Sequence, residues 1–312
     1  MQVWLFGCVS TLVYDLGRDK RSMPVPVKVW VRLCVVGRRF SYNQPRFPYA
    51  TAFLFYPHLI VNLFDLSHKR ILVTGSNAGL GFHVAQGLAR HGAQVILNGR
   101  NIDKLRDAAD RLRKEGYPVE EGRFDITSES EVRNAIAELC REKAIDVLIN
   151  NAGIQRRVRL DEVSLTVWNE VIQANLTGAM IVSREVAKEM ISRQEGKIIN
   201  VCSLMSEFAR TTTGPYTAAK GGLKMLTKVM CADWAQFNIQ INAIGPGYFI
   251  TEMTQVLADN PEFDGWVKQR TPARRWGLPF ELVGAAVFLS SDASSFVNGQ
   301  ILYVDGGMSA VL

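Results

Sequence analysis

The stretch RILVTGSNAGLGF, residues 70–82, decides the fold. A short apolar run opens it, a glycine-rich turn follows, and a helical pattern begins at its end. Such a run is typical of a buried parallel strand, and the backbone amides at the start of a helix attract an anion. The turn therefore predicts a site for the pyrophosphate of a dinucleotide, although a purely structural turn would carry the same glycines. The residues expected to line this site are Gly75, Ser76, Asn77, Gly79, Leu80 and Gly81.

Strand and helix patterns alternate along the rest of the chain. In one helical pattern Leu105, Ala109 and Leu112 share a stripe, and in the next Ser128 and Glu131 predict a capping box. This alternation predicts an α/β fold, a single doubly wound (Rossmann) domain with a seven-stranded parallel sheet, which binds ligands at the carboxyl ends of its strands. Further strands are predicted at 93–99, 119–126, 145–150, 196–203, 239–244 and 299–307, and later helices around 165–193, 215–236 and 279–290.

The charge distribution argues against a nucleic-acid partner. The chain has 312 residues, of which 47% are hydrophobic, and a net charge of +6. Residues 1–62 contain eight Lys and Arg but only two Asp, which accounts for the whole excess. The remainder is balanced, so no basic field is expected over the folded part.

Residues 1–60 read as a basic extension that we expect to be poorly ordered, and residues 61–312 as the folded domain. None of the apolar runs in the extension approaches the ~20 residues of a membrane span, and no clean cleavage site marks a signal peptide. A transit peptide stays open because the segment is basic, although it contains few serines. The segment VNLFDLSHKR, from Val61, has the look of a natural start.

Cysteine and histidine usage argues against two kinds of site. The five cysteines show no C-x-x-C spacing, so we predict neither a zinc site nor a disulfide framework, and no other metal. All four histidines lie between His58 and His91, which makes a Ser-His-Asp triad unexpected. Reduced thiols suit a cytoplasmic protein.

The second predicted strand ends in Gly99 and Arg100. The acidic residue that would bind the ribose of NAD, about twenty residues past the glycines, is missing there. An uncharged Gly99 leaves room for a 2′-phosphate, and a guanidinium can bind a phosphate bidentately. The pattern favours NADP, with NAD as the alternative, unless Arg100 is only a surface residue at the start of the next helix.

The stretch GPYTAAKGG, residues 214–222, places Tyr216 and Lys220 four residues apart. On a helix both side chains lie on one face. A lysine cation beside a phenol lowers the pKa of the phenol, which would make Tyr216 a proton donor usable near neutrality. A solvated helix face would show the same spacing, so other motifs must decide.

Further motifs lie where predicted strands end: NNAG at 150–153, Ser203, and GPG at 245–247, with Tyr216 thirteen residues after Ser203. Together with TGSNAGLG, this set resembles the short-chain dehydrogenase/reductase family from about Phe64 to the C-terminus.

The resemblance implies a role for each matching residue. Tyr216 would be the general acid/base during hydride transfer to or from nicotinamide, and Ser203 would hydrogen-bond the reacting carbonyl. Lys220 would hold the nicotinamide ribose, and Asn175 would anchor a water that links Lys220 to solvent. The remaining implied cofactor contacts are Asp125, Ile126, Asn151, Ala152, Gly153, Pro246, Gly247 and Thr251.

Segments such as NNAGIQRR, GPGYFITEMT and RTPARRWG resemble one branch of this family, the gluconate 5-dehydrogenases. The resemblance implies a sugar-acid substrate, D-gluconate or 5-keto-D-gluconate. Arg156 and Arg157 could bind its carboxylate, and Glu207 could accept hydrogen bonds from its hydroxyls. Solvated loop charges or intersubunit contacts would explain these three residues equally well.

Three other functions share parts of this pattern. A reductase of a 3-ketoacyl thioester would share the catalytic residues, and paired arginines argue against it only weakly. A dinucleotide sensor without activity usually lacks the tyrosine or the lysine, and both are present. A serine hydrolase is not expected because no G-x-S-x-G motif surrounds Ser203.

The family resemblance also implies a homotetramer. Helices around 165–193 and 215–236 carry more apolar residues than one face against the sheet needs, and GGMSAVL at the C-terminus would add a second interface. The alternative is that these residues fill gaps within one subunit. They include Met180, Ile181, Met225, Met230 and Trp234.

Overall fold

A seven-stranded parallel sheet lies at the centre of the structure, which is a computed structural model. The structure describes residues 62–311, with only the backbone of Met253, and two short paired strands, Cys34–Val35 and Arg38–Arg39. The expectation about residues 1–60 falls almost entirely outside these described residues and stays a prediction.

The sheet confirms the predicted fold class. All six neighbouring pairs are parallel, in the order β3-β2-β1-β4-β5-β6-β7. Because β1 lies in the middle of this order, its carboxyl end opens the crevice in which doubly wound folds bind ligands. The strands are β1 Arg70–Val73, β2 Gln94–Gly99, β3 Val119–Arg123, β4 Val147–Asn150, β5 Gly196–Val201, β6 Ile239–Pro246 and β7 Ile301–Val304.

The central strands are apolar on both faces because helices cover both faces of the sheet. Successive residues of a strand point to opposite sides, so Ile71 and Val73 pack into one buried cluster with the helices that follow β1 and β2. Leu72, between them, packs into the other cluster with Val132 and Val182. Each helical layer is therefore fixed to the sheet by alternate residues of the same strands.

Nine α-helices are described in residues 62–311. Two of the three between β6 and β7, Glu252–Ala258 and Pro261–Arg270, were not predicted from the sequence. None of the helices in the described part combines the length and apolarity that crossing a bilayer requires. The helices are α1 Gly79–Arg90, α2 Ile102–Lys114, α3 Glu129–Leu139, α4 Leu165–Ile172, α5 Gly178–Arg193, α6 Gly214–Trp234, α7 Glu252–Ala258, α8 Pro261–Arg270 and α9 Val283–Ser290.

A π-helical turn, Gln173–Thr177, joins α4 to α5. The sequence pattern predicted one uninterrupted helix over 165–193, which is wrong in this detail. An extra residue in the turn rotates the helix locally, and such bulges occur often at functional sites.

The capping box predicted for α3 is half correct. Ser128 Oγ accepts a hydrogen bond from Glu131 N at 3.4 Å and caps the helix. The Glu131 carboxylate instead accepts from Asp125 N at 3.0 Å. It therefore ties the helix to the end of β3, where Asp125 lies, rather than closing on its own cap.

The five apolar residues expected between subunits differ in exposure, and Met180 and Trp234 are half-buried against this chain's own core. Ile181 and Met230 are only 6% and 3% exposed, and they pack inside this chain's own core. For these two residues the intersubunit expectation is wrong, because the helices turn them toward the sheet. Met225 and its neighbour one turn on, Val229, are 55% and 52% exposed on α6.

Candidate active site

A cleft of about 1080 Å³ opens where the strands end. Its size suits a dinucleotide together with a small substrate. Two of the predicted site residues, Ser76 and Glu207, are absent from its lining. Those that line it are Gly75, Asn77, Gly79, Leu80, Gly81, Arg100, Asp125, Ile126, Asn151, Ala152, Gly153, Arg156, Arg157, Asn175, Ser203, Tyr216, Lys220, Pro246, Gly247 and Thr251.

The turn after β1 requires glycine at two positions. Gly75 has a φ of 60°, and a Cβ there would lie 2.7 Å from the Cα of Ala152. A Cβ on Gly81 would lie 2.3 Å from Nδ2 of Asn151. Gly79 also has a positive φ, of 57°, but nothing stands within 4 Å of its side-chain position. The open side of this turn, at the start of α1, fits a pyrophosphate.

Asn98 was not singled out from the sequence, yet it fastens three strand ends together. Its Oδ1 accepts from Gly75 N at 3.1 Å, and its Nδ2 donates to the carbonyls of Gly122 and Phe124. Ser76 is buried beneath the turn, where its hydroxyl donates to Val73 O at 2.7 Å. Ser76 therefore supports the turn from behind and does not reach the cleft. A polar residue inside an apolar strand was the available signal for Asn98.

The far end of the cleft carries the predicted phosphate contact. The Arg100 side chain is 72% exposed, and its Nη1 lies 3.2 Å from Oδ2 of Asp125. Burial raises the pKa of Asp125, but hydrogen bonds from Thr127 and Arg100 outweigh it and leave this pKa below its usual value. A Cβ on Gly99 would meet the Asn77 side chain at 3.0 Å, so an acidic residue at this position would be crowded. Lys104, another residue of the lining that was not predicted, adds a second cation here.

Tyr216, Ser203 and Lys220 meet at the other end. The Ser203 hydroxyl lies beside the phenol of Tyr216 and lowers the pKa of that phenol. The Lys220 side chain is almost fully buried, and its Nζ donates to Val201 O at 2.7 Å. Its Nζ lies 5.6 Å from the centroid of the Tyr216 ring.

The pKa expectation for Tyr216 is wrong for the structure described here. Burial raises the pKa of the phenol, and the neighbouring Ser203 hydroxyl opposes this only in part. Burial also lowers the pKa of Lys220 from 10.5 to about 8. Keeping Lys220 charged in the folded protein therefore costs free energy. The spacing of the two residues along the helix could not reveal this burial.

Asn175 lies in the π-helical turn with its amide group turned inward. Nδ2 donates to Ile154 O at 2.8 Å and to Val171 O at 2.9 Å. These two carbonyls fix the orientation of the amide, because only the NH₂ group can donate to both. Its Oδ1 is buried and has no hydrogen-bond partner within the described chain. A Cβ on Gly153 would lie 2.4 Å from this Oδ1 and 3.8 Å from Nζ of Lys220, so both atoms flank one point.

The two predicted arginines differ in their surroundings. Arg156 forms a two-pronged ion pair with Glu170, at 2.7 and 3.2 Å. Arg157 is exposed to the cleft and forms no ion pair with any carboxylate in residues 62–311. Arg210 and Tyr248, which were not predicted, also line the cleft, near enough to Arg157 to affect its pKa.

Glu207 is occupied elsewhere. Its carboxylate pairs with Lys224 and accepts from the Tyr303 hydroxyl at 2.8 Å. It links α6 to β7 outside the cleft lining. The geometry therefore gives no support to the expectation that Glu207 contacts substrate.

One cleft therefore holds a glycine turn, a cation that follows β2, and the side chains of Ser203, Tyr216 and Lys220. A family model described as enoyl-(acyl carrier protein) reductase matches residues 75–309. The chain belongs to the short-chain dehydrogenase/reductase family, which confirms the resemblance.

Within this family, the chain is similar to dehydrogenases that are named for sugar acids. Gluconate 5-dehydrogenase from Gluconobacter oxydans is 50% identical over 252 residues, which are 80% of this chain and 98% of that protein. A 2-dehydro-3-deoxy-D-gluconate 5-dehydrogenase from Formosa agariphila is 47% identical, over 81% of this chain and 97% of that protein. A gluconate 5-dehydrogenase from Burkholderia cenocepacia, solved in complex with NADP and tartrate, is 49% identical with a TM-score of 0.78, over 80% of this chain and 98% of that one. The protein is accordingly a gluconate 5-dehydrogenase-like, NAD(P)-dependent enzyme.

The burial of Lys220 leads to a stability prediction. Its pKa in the folded state, about 8, lies below the ordinary 10.5, so the unfolded state binds more protons between these two values. The wild-type free energy of unfolding should rise over that interval, and below it the folded state bears the whole penalty of a buried cation. Lys220→Met should therefore be more stable than wild type at pH 7, on the order of 1–3 kcal/mol once the lost hydrogen bond is counted.

Denaturant unfolding at a series of pH values measures this difference. The advantage of Lys220→Met should shrink as the pH rises from 8 toward 10. Lys224→Met, which removes an ion-paired lysine from the same helix, is the matched control. An advantage that stays constant with pH would contradict the burial penalty.

Proposed function

We propose that the protein interconverts D-gluconate and 5-keto-D-gluconate with NADP. The observation that carries this proposal is the meeting of Ser203 and Tyr216 in a cleft that also holds an exposed guanidinium, Arg157. The hydroxyl pair suits a secondary alcohol or ketone, and the guanidinium suits a carboxylate. The names of the relatives support a six-carbon sugar acid as the substrate class.

Tyr216 is the proton carrier in this proposal. Because burial raises its pKa, the phenol is protonated at neutral pH and can donate to a ketone oxygen. Ser203 donates a hydrogen bond to the same oxygen and stabilises the charge that develops there. In the oxidative direction the phenol must accept the proton instead, which higher pH favours. NADP, when bound, exchanges the hydride with the substrate carbon.

Lys220 and Asn175 would relay the proton between Tyr216 and solvent. The free acceptor Oδ1 of Asn175 and the ammonium of Lys220 flank one point beside Gly153, which would suit a bridging water. A cation at Lys220 also makes loss of the Tyr216 proton easier in the oxidative direction.

The cofactor would lie along the cleft from Arg100 to Tyr216. The turn Gly75–Gly81 would hold the pyrophosphate, and Asp125 and Ile126 the adenine. Asn151, Ala152 and Gly153 would line the nicotinamide half, flanked by Pro246, Gly247 and Thr251. Lys220 would bind the nicotinamide ribose. The relative solved with NADP supports this choice of cofactor, with NAD as the alternative.

A second candidate substrate is 2-dehydro-3-deoxy-D-gluconate. The relative from Formosa agariphila favours it, since it is almost as similar as the gluconate enzyme. Both compounds carry a carboxylate and a secondary alcohol at C5, so one site could process either. A 3-ketoacyl thioester lacks the free carboxylate and is the weaker alternative.

Absorbance of NADPH tests the proposal directly. The purified protein would be compared on gluconate, 5-ketogluconate, 2-dehydro-3-deoxygluconate, a neutral polyol and an acetoacetyl thioester. The proposed function requires the sugar acids to have the highest kcat/KM. A preference for the thioester would overturn it.

Tyr216→Phe should abolish turnover and leave cofactor binding nearly intact. The substitution removes only the proton path, and acid/base groups contribute about 10²–10⁴-fold. Steady-state kinetics and a fluorescence titration with NADPH measure the two properties. Tyr303→Phe, which removes a hydroxyl bonded to Glu207 outside the cleft, is the control. Residual activity above about a tenth of wild type would sink the assignment.

Arg100→Ala should raise the KM for NADP by about tenfold or more and change the KM for NAD little. Only NADP carries the phosphate that the guanidinium would bind. Arg113→Ala, which removes a guanidinium paired with Asp110 and Glu121, is the control. Gly99→Asp is a less clean test because its side chain would meet Asn77. Equal responses of the two cofactors would contradict the phosphate role.

We further propose a homotetramer and, since Cys140, Cys202 and Cys231 form no disulfide within the described residues, a cytoplasmic location. The exposed apolar side chains of α6, Met225 and Val229, suit a seam between paired helices. Val311, 48% exposed near the C-terminus, suits a second interface. Such a seam would also support the helix that carries Tyr216 and Lys220.

A chain that begins at Val61 should be a tetramer with full activity. The seven strands and the whole cleft lie after this residue. Light scattering at micromolar concentration and the NADPH assay measure both properties, with the full-length chain alongside. A fully active monomer would refute the seam, and loss of activity on shortening would show that residues 1–60 belong to the functional protein.

A further inference from the structure

Two arginines from different loops lie on the substrate side of the cleft. Arg157 follows β4, and Arg210 lies between β5 and α6. Both line the same cleft as Tyr216. A backbone hydrogen bond of 3.2 Å, from Val158 N to Thr212 O, joins the two loops close to both arginines. The guanidinium groups are therefore brought to the same region by a fixed connection.

Arg210 is held in position by aromatic groups. Its Nη1 donates to the Tyr248 hydroxyl at 3.2 Å, and its guanidinium carbon lies 4.7 Å from the centroid of the Phe263 ring. Tyr248 and Phe263 pack edge to face, and Trp266 and Trp276 complete the group. A cation over an aromatic face is stabilised without being neutralised. Arg210 thus keeps its charge while its rotation is restricted.

Thr212 shows that the loop itself is under strain. This β-branched residue has a φ of 66°, in a region that such side chains rarely adopt. The neighbouring Thr213 hydroxyl donates to Arg210 O at 2.7 Å. Strained loops of this kind persist where the surroundings over-determine them, often at ligand sites.

The charges of the two arginines are not compensated within the described chain. No carboxylate in residues 62–311 forms an ion pair with Arg157 or Arg210, whereas Arg156, next along the chain, is paired with Glu170. Partial desolvation of the guanidinium within the cleft lowers the pKa of Arg157, and the charge of Arg210 lowers it further, so the two cations repel each other. Two adjacent cations on the wall of a cleft are favourable only when an anion joins them.

The position of the pair distinguishes a substrate carboxylate from a cofactor phosphate. Arg157, Arg210 and Tyr248 follow β4, β5 and β6, on one side of β1. Arg100 follows β2, which lies on the opposite side of β1. The glycine turn of residues 75–81 follows β1 itself. The cofactor phosphates therefore have their own cations, and the pair faces the substrate.

We propose that Arg157 and Arg210 together bind the carboxylate of the substrate, and that Arg210 determines the preference for a sugar acid over a neutral polyol. This inference rests on the proposed function and assigns its carboxylate site. Arg156 has no part in it, because Glu170 already occupies its guanidinium. Phe263 is a positioning residue that acts through Arg210.

Glutamine replaces each arginine in the test, with Arg156→Gln as the matched control. The KM for gluconate should rise about tenfold or more in Arg157→Gln and Arg210→Gln, with a smaller change in kcat. The kcat/KM for glucitol, which has a hydroxymethyl group in place of the carboxylate, should fall far less than that for gluconate in Arg157→Gln and Arg210→Gln. The affinity for NADPH, measured by fluorescence titration, shows that each variant is folded.

Inhibition by tartrate gives a readout that does not depend on turnover of a sugar acid. The inhibition constant for tartrate should rise in Arg157→Gln and Arg210→Gln and stay unchanged in Arg156→Gln. Arg210→Lys, which keeps the charge without the forked geometry, should lie between wild type and Arg210→Gln. Phe263→Leu should raise the KM for gluconate without lowering the kcat/KM for glucitol.

The outcomes separate this inference from the proposed function. If the wild type prefers gluconate but Arg210→Gln behaves like Arg156→Gln, the carboxylate site is wrong and the proposed function stands. If the wild type acts on no sugar acid, the proposed function fails. Calorimetric titration of tartrate into the NADP complex then tests the arginine pair by itself, and equal binding in wild type and Arg210→Gln would overturn it.

Discussion

The hydrogen bond from Lys220 to the carbonyl oxygen of Val201 joins α6 to the end of β5. A buried ammonium must find such a partner, because leaving it unpaired is far costlier than leaving it in water. Ser203 lies two residues past Val201, and Tyr216 lies one helical turn before Lys220. One contact between helix and strand therefore sets the hydroxyl and the phenol beside each other, and burial of the lysine is the penalty that accompanies this precision.

A second polar group organises the other half of the cleft. Asn98 hydrogen-bonds to Gly75 N and to the carbonyls of Gly122, in β3, and Phe124, just past it, and so fixes the glycine turn after β1 against its neighbours. Both halves follow one rule: a polar side chain at a strand end is used to hold backbone that the sheet no longer pairs. The residues on both sides of the cleft are therefore held in position although the cleft itself is open.

The arginines of the cleft differ in whether a neighbouring carboxylate pairs with their charge. Arg156 is neutralised by Glu170, and Arg100 shares Asp125, so each is partly committed before a ligand arrives. Arg157 and Arg210 have no carboxylate partner in the described chain and repel each other. The four side chains are chemically identical, and only their neighbours distinguish a structural ion pair from a site that attracts an anion.

The sequence by itself determined the seven strands, their parallel arrangement and most of the cleft, because apolar periodicity and glycine turns act locally. The glycine turn with Gly75 and Gly81, and the placement of Tyr216 and Lys220 on one helix face, could also be predicted from local sequence. Tertiary structure decided what depends on distant neighbours: the raised pKa of the Tyr216 phenol, the committed carboxylate of Glu207 and the hidden hydroxyl of Ser76. It also brought Arg210 beside Arg157 from a loop more than fifty residues away. Charge, burial and pairing are properties of surroundings, and the order of residues along the chain does not specify which surroundings each side chain meets.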